Sequence, residues 1–239
     1  MLRAVLFDWG NTLAEWRFDS ALLAEGHAAG LAALDRRDAP SQEAFTVAYL
    51  ERVLPVLLSQ REDEIDYPAA VRGLLDELGS EAEPDAAWRF VVAEQRVWRP
   101  AHRLEMSALA LLDALGDRGL ATGLVSNLFD PPALVHELLA ELGVLERLGA
   151  VAISAEVGKR KPHPALFEHA LGQLGVDPAD AVVVGDRLRE DVGGGRALGL
   201  RTIQALWFVA DEGAGPEPDA QAFTPADVLR IVDRWSREG

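Results

Sequence analysis

Short apolar runs alternate with helix-period segments along most of the chain. Five apolar runs, each ending near a small or polar residue, lie at 4–7, 122–125, 150–153, 181–184 and 202–206. Such runs are typical of parallel strands that are buried on both faces. Apolar residues recur at helical spacing in 107–118, 132–142, 164–174 and 191–198. This alternation predicts an α/β fold with a doubly wound, parallel, Rossmann-like sheet.

Two segments depart from this rhythm. Residues 17–99 contain helix-period patterns and no convincing strand, so we predict a helical insertion there, with the core domain formed by 1–16 and 100–239. One helix face in the insertion is marked by Val47, Leu50, Leu54 and Leu57. Pro55 is expected to kink that helix. The stretch 210–221 is rich in Gly, Pro and acidic residues and predicts a polar loop.

Composition narrows the class of protein. The chain has 239 residues, enough for a sizeable core and an inserted domain. Its 39 Asp and Glu outnumber 23 Lys and Arg, so the net charge of −16 repels nucleic acids and anionic membranes. The absence of cysteine excludes disulfides and thiolate chemistry. No apolar run approaches a membrane span and no signal-peptide pattern precedes the first strand, so we expect a cytoplasmic protein; the sequence indicates no oligomeric state.

Polar and charged side chains follow the predicted strands. Ligands of open α/β sheets bind at the carboxyl ends of the strands, so these side chains are expected to meet at one edge of the sheet. In chain order they are Asp8, Ser126 with Asn127, Lys161, and Asp186 with Asp191. The set combines carboxylates, a hydroxyl, an amide and a cation, and it predicts a site for magnesium and phosphate.

Phosphoryl transfer assigns a role to each of these groups. Asp8 is placed to attack phosphorus and form an aspartyl-phosphate, which divides one displacement into two easier steps. Asp8, Asp186 and Asp191 are hard oxygen ligands suited to Mg²⁺, which would offset the repulsion between an anionic nucleophile and a phosphate. Ser126 and Lys161 are suited to hold the phosphoryl oxygens as their negative charge spreads in the transition state.

Four segments resemble, in order, the sequence motifs of the haloacid dehalogenase (HAD) superfamily of hydrolases: FDWGNTL, LVSN, SAEVGKRKPHPALF and VVVGDRLREDVGGGRALG. The resemblance covers residues 1–14 and roughly 100–210. It implies that Asp8 is the nucleophile and that Ser126 and Lys161, with Asn127 beside them, bind the phosphate. The insertion after the first motif resembles the family's helical cap, which closes over the site and selects the substrate.

The same resemblance implies a metal site, and the sequence departs from the family's pattern at one position. The metal ligands would be the side chains of Asp8, Asp186 and Asp191 and the backbone carbonyl of Gly10, which any residue supplies equally well. Most phosphatases of the superfamily carry a second aspartate at the position of Gly10, where it acts as general acid and base. Here that side chain is missing, so the proton donor is unassigned. We expect either substrates with acidic leaving groups or a donor supplied by the cap.

Each motif taken singly has an ordinary structural explanation. Asp8 could simply precede a turn, Ser126 could cap a helix, Lys161 could be a solvated loop cation, and Asp191 could lie in the first turn of a helix. All four in order favour a shared phosphate site. The five histidines have no metal-ligand spacing and are expected at the surface or in packing: His27, His102, His136, His163 and His169.

We therefore predict a magnesium-dependent phosphatase of a small phosphorylated metabolite. Two alternatives stay open: a dehalogenase of the same superfamily, which also lacks the second aspartate but works without magnesium, and a catalytically weak phosphate-binding regulatory protein. No Gly-x-Ser-x-Gly elbow or P-loop pattern suggests another enzyme class. The insertion offers candidate substrate contacts in Arg17, Arg52, Tyr67, Arg96 and Arg99.

Overall fold

The computed structural model describes residues 1–80, 83–209 and 213–238. Its main element is a six-stranded sheet in which every neighbouring pair is parallel, in the order β5-β4-β1-β6-β7-β8. The strands, numbered along the chain with the separate pair β2 and β3, are β1 (Ala4–Phe7), β2 (Ala14–Glu15), β3 (Arg103–Leu104), β4 (Ala121–Ser126), β5 (Ala150–Ile153), β6 (Ala181–Gly185), β7 (Arg201–Ala205) and β8 (Ala220–Ala222). The predicted fold class is confirmed, and β1 lies in the middle of the sheet.

Helices cover both faces of the sheet and form the insertion. They are α1 (Ser20–Ala33), α2 (Gln42–Arg52), α3 (Leu54–Leu57), α4 (Tyr67–Glu77), α5 (Pro84–Trp98), α6 (Ala108–Gly116), α7 (Pro132–Glu141), α8 (Ser154–Val157), α9 (Pro164–Leu174), α10 (Gly194–Leu198) and α11 (Pro225–Glu238). Short 3₁₀ turns lie at Arg99–Ala101, Leu145–Arg147 and Pro178–Asp180, and a π-helical turn at Leu188–Gly193. In the described part of the chain, no helix combines the length and apolar content needed to span a bilayer.

The alternation of side chains along β1 explains the two-sided core. Val5 and Phe7 point to one face, where they pack in a cluster with α6, α7 and α11. Ala4 and Leu6 point to the other face and pack with α9. All four side chains are fully buried, which is the condition that an uninterrupted apolar run meets in a parallel sheet.

The insertion has its own apolar cluster, built from helices α1 to α5. We call this helical insertion the cap. Several of its helices start at side chains that accept hydrogen bonds from free backbone N–H groups: Asp19 for α1, Ser41 for α2 and Asp66 for α4. The chain enters and leaves the cap through the antiparallel pair β2 and β3, where Ala14 lies opposite Leu104. The exact division at residues 16/17 and 99/100 stays a prediction.

Three local predictions need comment. Pro55 does interrupt the helical pattern, because α2 ends at Arg52 and α3 starts at Leu54. The helix predicted at 191–198 starts earlier, in the π-helical turn. The loop prediction for 210–221 was wrong at its end, where β8 adds an edge strand whose Ala222 is buried against the core; residues 210–212 lie outside the described residues.

Candidate active site

The strand ends bring the predicted nucleophile and phosphate-binding groups together. Asp8 follows β1, and its Oδ1 accepts a hydrogen bond from Ser126 Oγ, at the end of β4, over 2.9 Å. The same oxygen accepts a second hydrogen bond from Lys161 Nζ over 2.6 Å. All three side chains are buried although 118 and 153 residues separate Asp8 from its partners. The parallel sheet explains this convergence, because the loops that follow its strands all start at the same edge.

Lys161 is held from both its backbone and its side chain. The Asn127 side chain accepts a hydrogen bond from the Lys161 backbone N–H over 2.7 Å and donates one to the Lys161 carbonyl over 3.2 Å. The Lys161 ammonium also donates to the Val125 carbonyl over 2.8 Å and to Asp191 Oδ1 over 2.5 Å. Although burial opposes its charge, the carboxylates of Asp191 and Asp8 raise the pKa of Lys161 well above its usual value. The lysine is therefore a fixed cation.

Asp191 is positioned by the close approach of its turn to β6. Its Oδ2 accepts a hydrogen bond from the Arg187 backbone N–H over 3.0 Å, which closes the π-helical turn. A Cβ on Gly185 would lie 2.2 Å from the Asp191 Cγ, so only glycine at that strand end leaves room for the carboxyl group. Gly195 has a similar role, because a Cβ there would lie 2.4 Å from Val183 and push α10 off the sheet.

Asp8, Asp186 and Asp191 form a compact acidic cluster. Each offers one oxygen, and the three oxygens lie within 4.8 Å of one another in a buried setting. Burial and the charges of Asp8 and Asp191 raise the pKa of Asp186 to about 8. Burial raises the pKa of Asp191 to about 6, although Lys161 opposes that change. The three clustered oxygens are hard donors, and such a set fits a divalent cation that prefers oxygen ligands.

Gly10 faces open space. The nearest atom to a Cβ built on this residue, outside its immediate neighbours, is the Trp16 Cβ at 4.0 Å. The turn around it is held by Asn11, which has a positive φ of 56° and accepts a hydrogen bond from the Trp16 backbone N–H. A side chain at position 10 would therefore meet no steric clash at its Cβ, so crowding does not explain why aspartate is absent there. No hydrogen bond among the described residues brings another carboxyl group to Asp8.

The candidate cap contacts are mostly engaged elsewhere. Arg17 pairs with Glu15, Arg52 with Glu77, and Arg99 with both Glu137 and Glu141; Arg96 is exposed; and Tyr67 donates to Glu94 inside the cap. Among the histidines, His27 is fully buried in the cap, and His102 Nδ1 accepts a hydrogen bond from Trp9. Burial lowers the pKa of both to about 4, so both are packing residues that stay neutral at pH 7.

Sequence reasoning missed two charged groups that follow the ends of β6 and β4. Arg187 adjoins Asp186; although partial desolvation opposes this, the carboxylates around it raise its pKa, so this exposed side chain is a second cation at the strand ends. Asp130 follows Asn127 closely; its Oδ1 is buried without a hydrogen-bond partner, and burial raises its pKa to about 7. The charged stretch DRLRED could have indicated Arg187, whereas the sequence around Asp130 gives no sign that its carboxyl oxygen is buried.

Comparison with known proteins identifies the family. A family model for haloacid dehalogenase-like hydrolases matches residues 2–199, and the chain belongs to that family. It is 30% identical to a glyceraldehyde 3-phosphate phosphatase of Methanopyrus kandleri, over the whole of both chains. It is 33% identical to a phosphoglycolate phosphatase of Xylella fastidiosa, over 86% of this chain and 80% of the relative. A phosphoserine phosphatase of Thermus thermophilus is 39% identical over 56% of this chain and 51% of its own length.

Solved structures agree on the fold. A HAD phosphatase from Thermococcus onnurineus superposes with a TM-score of 0.67 at 20% identity, covering 97% of this chain and 98% of the other. A 2-haloacid dehalogenase from Pseudomonas syringae pv. Tomato superposes with a TM-score of 0.66 at 22% identity, covering 98% and 100%. At these identities the likeness supports the shared fold and cap and does not separate the two chemistries. The predicted family and the hydrolase class are confirmed.

Proposed function

We propose that this protein is a magnesium-dependent phosphatase of a small phosphorylated metabolite and that Asp8 is its nucleophile. The observation that carries the proposal is the convergence of Ser126 Oγ and Lys161 Nζ on one oxygen of Asp8, beside two more buried carboxylates. A phosphoryl group in line with Asp8 would meet a hydroxyl donor and a fixed cation at once. That arrangement stabilises the charge that spreads over the phosphoryl oxygens in the transition state.

The reaction follows from these roles. An Asp8 carboxylate oxygen forms a bond to phosphorus while the bond from phosphorus to the substrate's ester oxygen breaks, which leaves an aspartyl-phosphate. Water then attacks the phosphorus, restores the Asp8 carboxylate and releases inorganic phosphate. Ser126 and Lys161 hold the phosphoryl oxygens through both steps, and Asn127 fixes the backbone of Lys161. The proton that the leaving oxygen needs has no donor at Gly10.

Mg²⁺ would be held by Asp8, Asp186 and Asp191, with the Gly10 carbonyl as the backbone ligand implied by the family. When bound, it supplies charge neutralisation between the nucleophile and the phosphate. The raised pKa of Asp186 supports this assignment, because burial and the neighbouring carboxylates of Asp8 and Asp191 disfavour its charged form, which a bound cation would stabilise. The phosphatase names of the relatives support the substrate class, and their different substrates leave the metabolite open. A cytoplasmic location stays a prediction.

The test is a screen of phosphorylated metabolites with and without Mg²⁺. We expect phosphate release from at least one compound of the class formed by phosphoglycolate, glyceraldehyde 3-phosphate and phosphoserine, and we expect a chelator to abolish it. A 2-haloacid included in the screen should release no halide. Halide release that persists in the chelator would favour the dehalogenase alternative. Phosphate binding without any turnover would favour the regulatory protein.

A further inference from the structure

The cap touches the lysine-bearing loop of the core through paired backbones. We call residues 58–66, between α3 and α4, the docking loop, and residues 158–161 the lysine loop. The Glu64 backbone N–H donates to the Gly158 carbonyl over 3.1 Å, and the Arg160 backbone N–H donates to the Glu62 carbonyl over 2.8 Å. Asp63 and Lys159 form an antiparallel bridge between these bonds. The two loops thus form a short ribbon across the boundary between cap and core.

A buried ion pair reinforces this ribbon. Arg160 Nη1 lies 3.1 Å from Glu64 Oε1, and the Arg160 Nη2 donates to the Leu57 carbonyl over 3.2 Å. The Glu64 carboxylate also accepts a hydrogen bond over 2.5 Å from Ser154 Oγ, in the first residue of α8. The side chains of Glu64 and Arg160 are only 2% and 13% exposed. Breaking a buried pair leaves one charge uncompensated, so loss of either partner is expected to loosen the two loops.

A neighbouring ion pair provides the contrast. Lys159 Nζ lies 2.5 Å from Asp63 Oδ1, one residue away along each loop, yet these side chains are 39% and 66% exposed. Exposed pairs contribute little to stability because water and salt screen them. The two pairs share the same ribbon and differ mainly in burial, which makes the outer pair a matched control for the inner one.

Arg160 connects the cap directly to the phosphate site because it immediately precedes Lys161. The lysine loop is therefore held on two sides: the core's Asn127 binds the backbone of Lys161, and the cap's Glu64 binds the side chain of Arg160. The π-helical turn has a weaker link of the same kind, since Arg189 donates to the Gln60 carbonyl over 3.3 Å. If the cap undocked from the core, Lys161 would lose the support that Glu64 provides through Arg160.

We infer that Glu64 and Arg160 are positioning residues, whose ion pair makes the placement of Lys161 in the phosphate site depend on docking of the cap. The inference rests on the proposed function in that Lys161 binds the phosphoryl group. The pair contacts no reacting atom. It acts through the lysine loop, and its effect is expected on phosphate affinity and turnover together, since a displacement of about 1 Å in a catalytic group costs on the order of a hundredfold.

The experiment compares Glu64→Gln with Asp63→Asn. Amide hydrogen exchange of the docking loop and the lysine loop reports docking without reference to activity. Calorimetric titration with inorganic phosphate in the presence of Mg²⁺ reports the site. For Glu64→Gln we expect exchange at least about tenfold faster in both loops, phosphate binding about tenfold weaker, and kcat/KM lower by about ten- to a hundredfold. For Asp63→Asn we expect less than about twofold changes in all three.

A second variant protects the test against misfolding. Arg160→Lys keeps a charge opposite Glu64 but loses the planar fork that reaches the Leu57 carbonyl, so it should shift the same quantities in the same direction by a smaller factor. Faster exchange with unchanged phosphate affinity and kcat would overturn the inference, because the pair would then only anchor the cap. Unchanged exchange would overturn it as well. If the wild-type protein hydrolyses no phosphate, the proposed function fails, whereas exchange and phosphate binding still decide the inference.

Discussion

Two clusters of buried polar side chains lie in different regions of the molecule and balance their charge differently. At the strand ends, Asp8 and Asp191 both contact the Lys161 ammonium. In the cap, Glu94 accepts a hydrogen bond from the Tyr67 hydroxyl over 2.7 Å and lies 3.6 Å from His27 Nε2. No Lys or Arg in the described residues forms an ion pair with Glu94.

The difference appears in the protonation states. Burial raises the pKa of Glu94 to about 8 and lowers that of His27 to about 4, so the cap cluster is neutral at pH 7. The strand-end cluster keeps a charged lysine and crowds three carboxylates around it. Comparable burial thus produces a neutral hydrogen-bonded network with one carboxyl group in one region, and a charged lysine among three clustered carboxyl groups in the other. Only the second has a reason to bind a cation.

Replacement of Asp8, the proposed nucleophile, is expected to have the largest effect. Asp8→Asn keeps the shape of the side chain but replaces the anionic carboxylate by a neutral amide, which is a poor nucleophile, so turnover should fall by about 10⁴-fold or more. Steady-state phosphate release measures the loss, and thermal unfolding checks that the fold is retained. A variant whose rate stays within about tenfold of wild type would refute the assignment of Asp8.

Loss of a proposed metal ligand should have the next largest effect. Asp186→Ala removes one of three clustered carboxylates, so we expect kcat/KM to fall by about a hundred- to a thousandfold and the Mg²⁺-induced rise in Tm to disappear. Glu94→Gln is the matched control, because it removes a buried carboxyl group from the cap cluster and should leave the Mg²⁺ effect on Tm unchanged. Equal loss of the Mg²⁺ effect in both variants would erase the distinction between the two clusters.

Adding an acid at Gly10 should have a moderate effect that depends on the substrate. The space around a Cβ at this position admits Gly10→Asp. If the wild-type enzyme lacks a general acid, its rates should fall steeply as the leaving-group pKa rises, and the variant should flatten that slope by accelerating alkyl phosphates about tenfold or more. Gly10→Asn is the control that adds bulk without an acid.

If the rates of the wild-type enzyme depend only weakly on leaving-group pKa, the cap supplies the proton donor. Removing that donor should then make the rates fall steeply as the leaving-group pKa rises. Fast hydrolysis of alkyl phosphates that no acidic or basic cap substitution alters would contradict both explanations.

The smallest expected effect concerns stability and pH. Because the pKa of Glu94 is about 8 in the folded protein and near 4.5 in the unfolded chain, the folded state holds an extra proton between these values. The free energy of unfolding should therefore fall as pH rises from about 4.5 to 8. Glu94→Gln removes this contribution while keeping a hydrogen-bond partner for Tyr67. Urea unfolding with saturating Mg²⁺ should show equal stability near pH 5 and a more stable variant above pH 8, by about 1–3 kcal/mol. A variant less stable than wild type at both pH values would contradict the neutral-network interpretation.

Local pattern was sufficient for much of the architecture. Uninterrupted apolar runs predicted five of the six strands in the main sheet, and the break in rhythm between the first two runs predicted a helical insertion, because strand and helix periods are properties of neighbouring residues. Knowing which strand ends carry Asp8, Ser126 and Asp186 was enough to expect one shared site, since parallel strands end at the same edge. The edge strand β8 was not predicted, because three residues next to a Gly- and Pro-rich stretch are too few to show a strand pattern.

The sequence by itself determined which chemical groups stand at the strand ends and that a helical insertion follows the first of them. Only the tertiary structure decided how charge is balanced there: which carboxylates share Lys161, why Gly185 must lack a side chain, and that Glu64 meets Arg160 across 96 residues of chain. The physical reason is that pKa values, close contacts and ion pairs depend on distances through space. Those distances are set by how the sheet and the cap pack against each other, and they cannot be read from the residues that are neighbours along the chain.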